Sequence, residues 1–203
     1  MKRAFLLYLI GLCLSFVAEA KKFDGVIING DDTVAVTFIF PVADSLDRSF
    51  YRRIQSRIRY IDGNGKRRML RPRNAEEICF RFYSKEIRMM SVSNTLGLGS
   101  VFATDSRIFL RLKEDGALRL YSYYSSATQT EDGATAGGTY DIEEFILNRG
   151  ATSFKVPYNW SFTEKMTEFF NDCPGLALLI SAGDLRREDI HVIVRMYNEK
   201  CGG

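Results

Sequence analysis

Histidine occurs once in the 203 residues, at position 191. A single imidazole excludes every metal site built on a histidine pair, zincin motifs included. Cysteine occurs four times, too seldom for a dense disulfide scaffold. No Gly-x-Ser-x-Gly elbow and no Ser-x-x-Lys pair is present, which removes two common hydrolase signatures. After the first twenty residues there is no long apolar run, so the chain is no multi-span membrane protein. It also lacks internal repeats of roughly 20–50 residues, and with them solenoids and propellers. Charge of one sign is missing as well: the formal net charge is +3, so the overall balance predicts no nucleic-acid partner.

What is present describes a folded chain, 46% hydrophobic and 13% aromatic, outside the range of disordered sequences. Residues 1–20 read as a signal peptide: Lys2 and Arg3 form a basic start, Phe5 to Val17 an apolar stretch, and Ala18-Glu19-Ala20 a small-x-small cleavage site. Cys13 does not make a lipobox, because Leu12 stands where a small residue is required. The expected product is one β-rich domain over residues 21–203, exported to the periplasm or outer membrane, with an extracellular location as the alternative.

The strands are expected at about 23–157. Val26 to Ile28 and Thr33 to Phe40 are β-branched and aromatic, separated by the turn Asn29-Gly30-Asp31. Arg53 to Ile61 alternates, with Ile54, Ser56, Ile58 and Tyr60 on one side and Arg53, Gln55, Arg57 and Arg59 on the other. This predicts a half-buried strand with an arginine-rich solvent face. The turn Asp62-Gly63-Asn64-Gly65 leads to a return strand at Met69-Leu70, and Asn74-x-x-Glu77 matches a capping box. Further strands fall at 78–83, 87–93, 106–113, 117–124, 140–148 and 154–156, with a flexible loop at 125–139. Such a series predicts an antiparallel sandwich or barrel-like roll.

At about 161–200 the apolar period becomes helical. Ser161-x-x-Glu164 matches a capping box, Asp172-Cys173-Pro174 starts a second helix that Gly183 closes, and a third helix carries Ile190, Val194, Tyr197 and Cys201 on one stripe. The fold class is therefore α+β, with a C-terminal three-helix segment packed on the sheet. In an oxidising compartment, antiparallel packing of the last two helices would bring Cys173 and Cys201 together as a disulfide, leaving Cys79 as a buried free thiol.

Asp172-Cys173-Pro174, Gly183, Asp189-Ile190, Tyr197-Asn198 and Cys201 resemble the C-terminal signature of an uncharacterised family of exported, Bacteroidota-type proteins. Gly30-Asp31 with Asp32-Thr33, Tyr60-x-Asp62 followed by Pro72 and Ile78, and Glu114-x-Gly116 before Leu120-Tyr121 extend the resemblance along the chain. It implies an envelope-associated β-rich protein and supplies no catalytic residues.

No catalytic set, cofactor or metal site follows from the residues. Asp31-Asp32, Asp141 and Glu143-Glu144 offer carboxylates, yet neighbours on a strand point to opposite faces. Asp62-Gly63-Asn64 is a poor calcium loop, since Lys66 occupies a ligand position. Charge segregation is the one unusual feature: residues 48–88 hold thirteen basic and four acidic side chains. Guanidinium forks suit phosphate and carboxylate, so Arg53, Arg57, Arg59, Arg68 and Arg71 form the candidate anion-binding set. The leading expectation is a non-enzymatic interaction or structural module. Alternatives are an anion- or glycan-binding module on the arginine face and a hydrolase with a concealed site. Envelope proteins and anionic glycan or lipid head groups are the partners in view.

Overall fold

The computed structural model describes residues 20–40, 46–98, 106–128 and 138–203. Residues 1–19 of the expected signal peptide (1–20) and the centre of the expected loop at 125–139 lie outside the described residues. Among the described residues, ten strands form one antiparallel sheet: β1 (Lys21–Asn29), β2 (Asp32–Phe40), β3 (Ile58–Ile61), β4 (Arg67–Leu70), β5 (Glu77–Phe82), β6 (Lys85–Ser93), β7 (Arg107–Glu114), β8 (Leu118–Thr128), β9 (Thr139–Arg149) and β10 (Thr152–Lys155). Their spatial order is β10-β9-β8-β7-β6-β5-β1-β2-β3-β4. The class is α+β as expected, and the sheet stays open rather than closing into a barrel. Among the described residues, four α-helices accompany it: α1 (Arg48–Ile54), α2 (Phe162–Phe169), α3 (Pro174–Ser181) and α4 (Ile190–Lys200).

The alternation of β8 explains how one sheet carries several cores. Leu118, Leu120 and Tyr124 point to one face, Tyr121 and Tyr123 to the other. On the first face, Tyr124 joins a core made by Phe38, Phe40, Ile78, Phe80, Met89 and Phe109 with Phe50, Tyr51 and Ile54 of α1. Leu118 and Leu120 join Leu147 in a second core, under Phe162, Met166, Phe170, Ile180, Ile190, Ile193 and Val194 of the helical tail. Tyr121 and Tyr123 pack on the opposite face with Ile108, Leu110 and Ile146. The tail is thus part of the domain's apolar core.

The strand expected over Arg53–Ile61 is not formed. Arg48–Ile54 is a helix, and only Ile58–Ile61 is extended. Asp47 accepts the Phe50 N–H at 2.8 Å, an N-cap of the kind worth about 1 kcal/mol. Phe50, Tyr51 and Ile54 then bury one helical stripe, which outweighs the short two-residue alternation. Both capping boxes also fail. The Ser161 hydroxyl meets the Tyr158 carbonyl at 3.4 Å, because a 3₁₀ turn (Asn159–Ser161) runs straight into α2. Glu77 begins β5 and is held by Arg88 at 2.6 and 3.1 Å.

Three devices dock the tail. Cys173, preceding α3, and Cys201, ending α4, are joined by a disulfide with Cα atoms 5.9 Å apart. The Tyr197 hydroxyl donates to Asp172 at 2.7 Å, and Arg149 of β9 donates to both residues. Asn198 pairs with β8 as a peptide would: its Oδ1 accepts the Leu118 N–H at 2.8 Å and its Nδ2 donates to the Leu118 carbonyl at 2.9 Å. The approach requires Gly116, whose φ is +150° and where a Cβ would lie 2.5 Å from Asn198 Nδ2.

Candidate anion-binding surface

The β3–β4 hairpin sets the arginines by register. Ile58 pairs with Leu70, Arg59 with Met69, Tyr60 with Arg68 and Ile61 with Arg67, while Ile39 of β2 pairs with Arg59. Ile58, Leu70 and Phe38 are buried, so Arg59, Arg67, Met69 and Ile39 take the outer face. Arg57 and Arg71 flank this ladder, one just before β3 and the other just after β4, and both are exposed. Arg68 has the other parity. The hairpin therefore brings Arg59 to one face with Arg67, which the sequence reading omitted, and leaves Arg57 and Arg71 at its open end.

Two members of the expected set are placed differently. Arg53 stands in the last turn of α1, away from the hairpin ladder. Arg68 is engaged by Asp62 at 2.5 Å. Asp62 also accepts the backbone N–H groups of Asn64 and Lys66. The Arg68 hydrogen bond foremost, then these amides, hold its carboxyl below the usual range.

Among the described residues, Arg57, Arg59, Arg67 and Arg71 are exposed and have no acidic partner. Ile39, Arg59, Arg67, Arg68 and Met69, with Ala20, line a depression of about 420 Å³. Met69, one of its lining side chains, is 43% exposed. The apolar side chains of Ile39 and Met69 beside the two unpaired guanidinium groups of Arg59 and Arg67 can take an anion with an aliphatic or ring body. β4 is also an edge strand, and charged side chains there oppose strand addition.

The other candidates carry structural roles. Arg52 holds Asp141 at 2.6 Å and Lys155 holds Glu144 at 2.5 Å, so each of these acids is engaged by a cation. His191 lies 2.9 Å from Glu114. Cys79 is half-buried rather than buried. It lines a shallow groove of about 750 Å³ with Lys22, Arg81, Tyr83 and Glu86. Desolvation chiefly, then the Glu86 and Glu77 charges, push its thiol pKa up, which disfavours the nucleophilic thiolate. Among the described residues, no group of three or more His, Cys, Asp or Glu side chains is placed to hold a metal ion. No helix among them is long and apolar enough to cross a membrane.

Comparison with models of protein families, with curated proteins and with solved structures finds no match to this chain.

Proposed function

We propose that this protein is an exported, envelope-associated interaction module without enzymatic activity. In this reading the outer face of the β3–β4 hairpin binds an anionic glycan or lipid head-group surface. The observation that carries it is the set of four exposed arginines, Arg59 and Arg67 on one face of the hairpin with Arg57 and Arg71 at its open end, left without acidic partners among the described residues. Arginine forks hold phosphate or carboxylate through paired, charge-assisted hydrogen bonds.

The basic and apolar pattern of residues 1–20 supports export. Cleavage after Ala20 removes no residue of β1, which begins at Lys21. That cleavage would remove Ala20 from the rim of the depression and leave Ile39, Arg59, Arg67, Arg68 and Met69 in place. The resemblance of the tail to the exported family accords with the same reading, as its residues serve the disulfide, the Asp172–Tyr197–Arg149 contact and the Asn198 pairing.

The test is titration of the mature protein with heparin, used as a model polyanion, at increasing salt. Affinity should fall steeply with ionic strength, because screening acts on exposed charges. The double variant Arg59→Ala, Arg67→Ala should bind several-fold more weakly and melt at an unchanged temperature. Salt-independent binding, or equal affinity in the double variant, would overturn the reading.

A further inference from the structure

A polar seam crosses the same sheet face that carries the two helix-covered cores. It lies between the α1-covered core and the tail-covered core, where β7, β8 and β9 present Arg111, Ser122 and Phe145 in one cross-strand row. A β-bulge between Leu112 and Glu114 breaks the β7 alternation. Bulges re-aim side chains and recur beside functional sites. Lys113 consequently reaches Glu143 at 3.5 Å, and Glu114 reaches His191 of α4 at 2.9 Å.

Glu143 is the hub of the seam. Its Oε1 accepts from the Ser122 hydroxyl at 2.6 Å and the Tyr124 hydroxyl at 2.9 Å. Tyr51 of α1 stacks on Tyr124 with ring centroids 4.9 Å apart, and the Arg111 guanidinium lies 4.5 Å above the Tyr51 ring. Tyr51 is only 1% exposed, and its hydroxyl has no hydrogen-bond partner. On the tail side, Arg187 stacks over Phe145 and Tyr158, with its Nε and one Nη buried and equally unpaired.

Charge and hydrogen-bond accounting point the same way. Arg111 and Lys113 bring two cations to Glu143, Arg187 and Lys155 set two more beside Glu144 at Tyr158, and Arg48 and Arg52 of α1 both engage Asp141. The unsatisfied atoms are all N–H or O–H donors. A buried donor left unpaired costs roughly 1–3 kcal/mol, and native structures rarely leave one without a reason. What would satisfy these donors is an acceptor-rich anion.

We infer that the seam between α1 and the helical tail is a binding site for the oxyanion group of a small molecule, a carboxylate or a phosphate, held by the Tyr51 hydroxyl and the Arg111 guanidinium. Lys113 supplies further positive charge, and Arg187 offers donors to the remainder of the ligand. Glu143 acts as a positioning residue that fixes Tyr124 and Lys113. The site takes a small solute from within the sheet face, unlike the exposed hairpin surface proposed for polyanions.

The experiment is thermal melting and calorimetric titration of the mature protein with inorganic phosphate, glucuronate and neutral glucose, each against chloride at matched ionic strength. Phosphate, glucuronate or both should raise the melting temperature, and glucose should not; which anion responds identifies the group. Tyr51→Phe keeps the stack and removes only the unpaired hydroxyl. It should melt at the same or a higher temperature without ligand and lose at least about tenfold in anion affinity, as expected for a hydrogen bond to a charged group. Arg111→Lys, which keeps the charge but loses the fork, should also weaken binding. The Arg59→Ala, Arg67→Ala variant should keep the full response, which separates this site from the hairpin face. Absence of any anion-specific shift in the wild type, or an undiminished response in Tyr51→Phe, would overturn the inference.

Discussion

Gln55 completes the sheet for Tyr124. Its Oε1 accepts the Tyr124 N–H at 2.7 Å, and its Nε2 donates to the Tyr124 carbonyl at 2.9 Å. The Gln55 carbonyl accepts the Phe109 N–H at 2.9 Å. β7 and β8 pair only as far as Arg111 and Ser122, and beyond that point one glutamine bridges the separating strands. The bridge ties the end of α1 to the sheet and thereby positions Tyr51 against Tyr124.

Gln55→Ala should accordingly be among the most damaging polar substitutions in this chain. It leaves the buried N–H and C=O of Tyr124 without partners, at roughly 1–3 kcal/mol each. A loss of about 2–4 kcal/mol in urea unfolding is expected. Gln55→Glu should also destabilise, because a carboxylate cannot donate to the Tyr124 carbonyl. A loss below about 0.5 kcal/mol in Gln55→Ala would show that the bridge contributes little.

Reduction should weaken the fold without unfolding it at once. The Cys173–Cys201 bond closes a loop with a sequence separation of 28, worth about 3–4 kcal/mol in the chain-entropy account. Urea midpoints with and without reductant measure this directly. Alkylation of the denatured, non-reduced mature protein should label Cys79 alone, and labelling of Cys173 or Cys201 would contradict the pairing.

The acid limb of stability should depend on Glu143. Burial raises its pKa, but the Ser122 hydrogen bond, the Lys113 charge and the Tyr124 hydrogen bond outweigh that and leave it below the ordinary glutamate value. A carboxyl with a depressed folded pKa contributes stability above its unfolded pKa, about 4.3. That contribution is lost as pH falls through the folded value. Glu143→Gln should therefore be less stable at neutral pH and lose less than the wild type between about pH 5 and pH 3. Parallel pH profiles for the two proteins would refute this role. The partner Tyr124, with its hydroxyl pKa pushed up to about 12 chiefly by burial, remains a donor throughout.

Local chemistry was legible in the chain wherever a few neighbouring residues decide the outcome. The turn at Asp62–Gly65 and the extended runs of β1, β2 and β5 to β9 follow from side-chain type over short windows. So do the helical period of the tail and the placement of Cys173 and Cys201 at helix ends. The stretch 53–61 was misread because Ile54, Ile58 and Tyr60 satisfy a period of two, while Ile54 also falls on a helical stripe with Phe50 and Tyr51. The choice rests on the Asp47 cap and on the core that receives Phe50, Tyr51 and Ile54.

Arg67, rather than Arg68, shares the face of Arg59. That follows from register, which a shift of one residue would reverse. Gln55 and the seam around Glu143 left no readable mark, since Tyr51, Gln55, Arg111, Tyr124 and Glu143 come from well-separated parts of the chain. The sequence by itself determined which segments extend, coil and turn, because those preferences act between neighbours. Only the tertiary structure decided which charges lose their partners and which polar groups are buried together, because burial and pairing are set by residues distant along the chain.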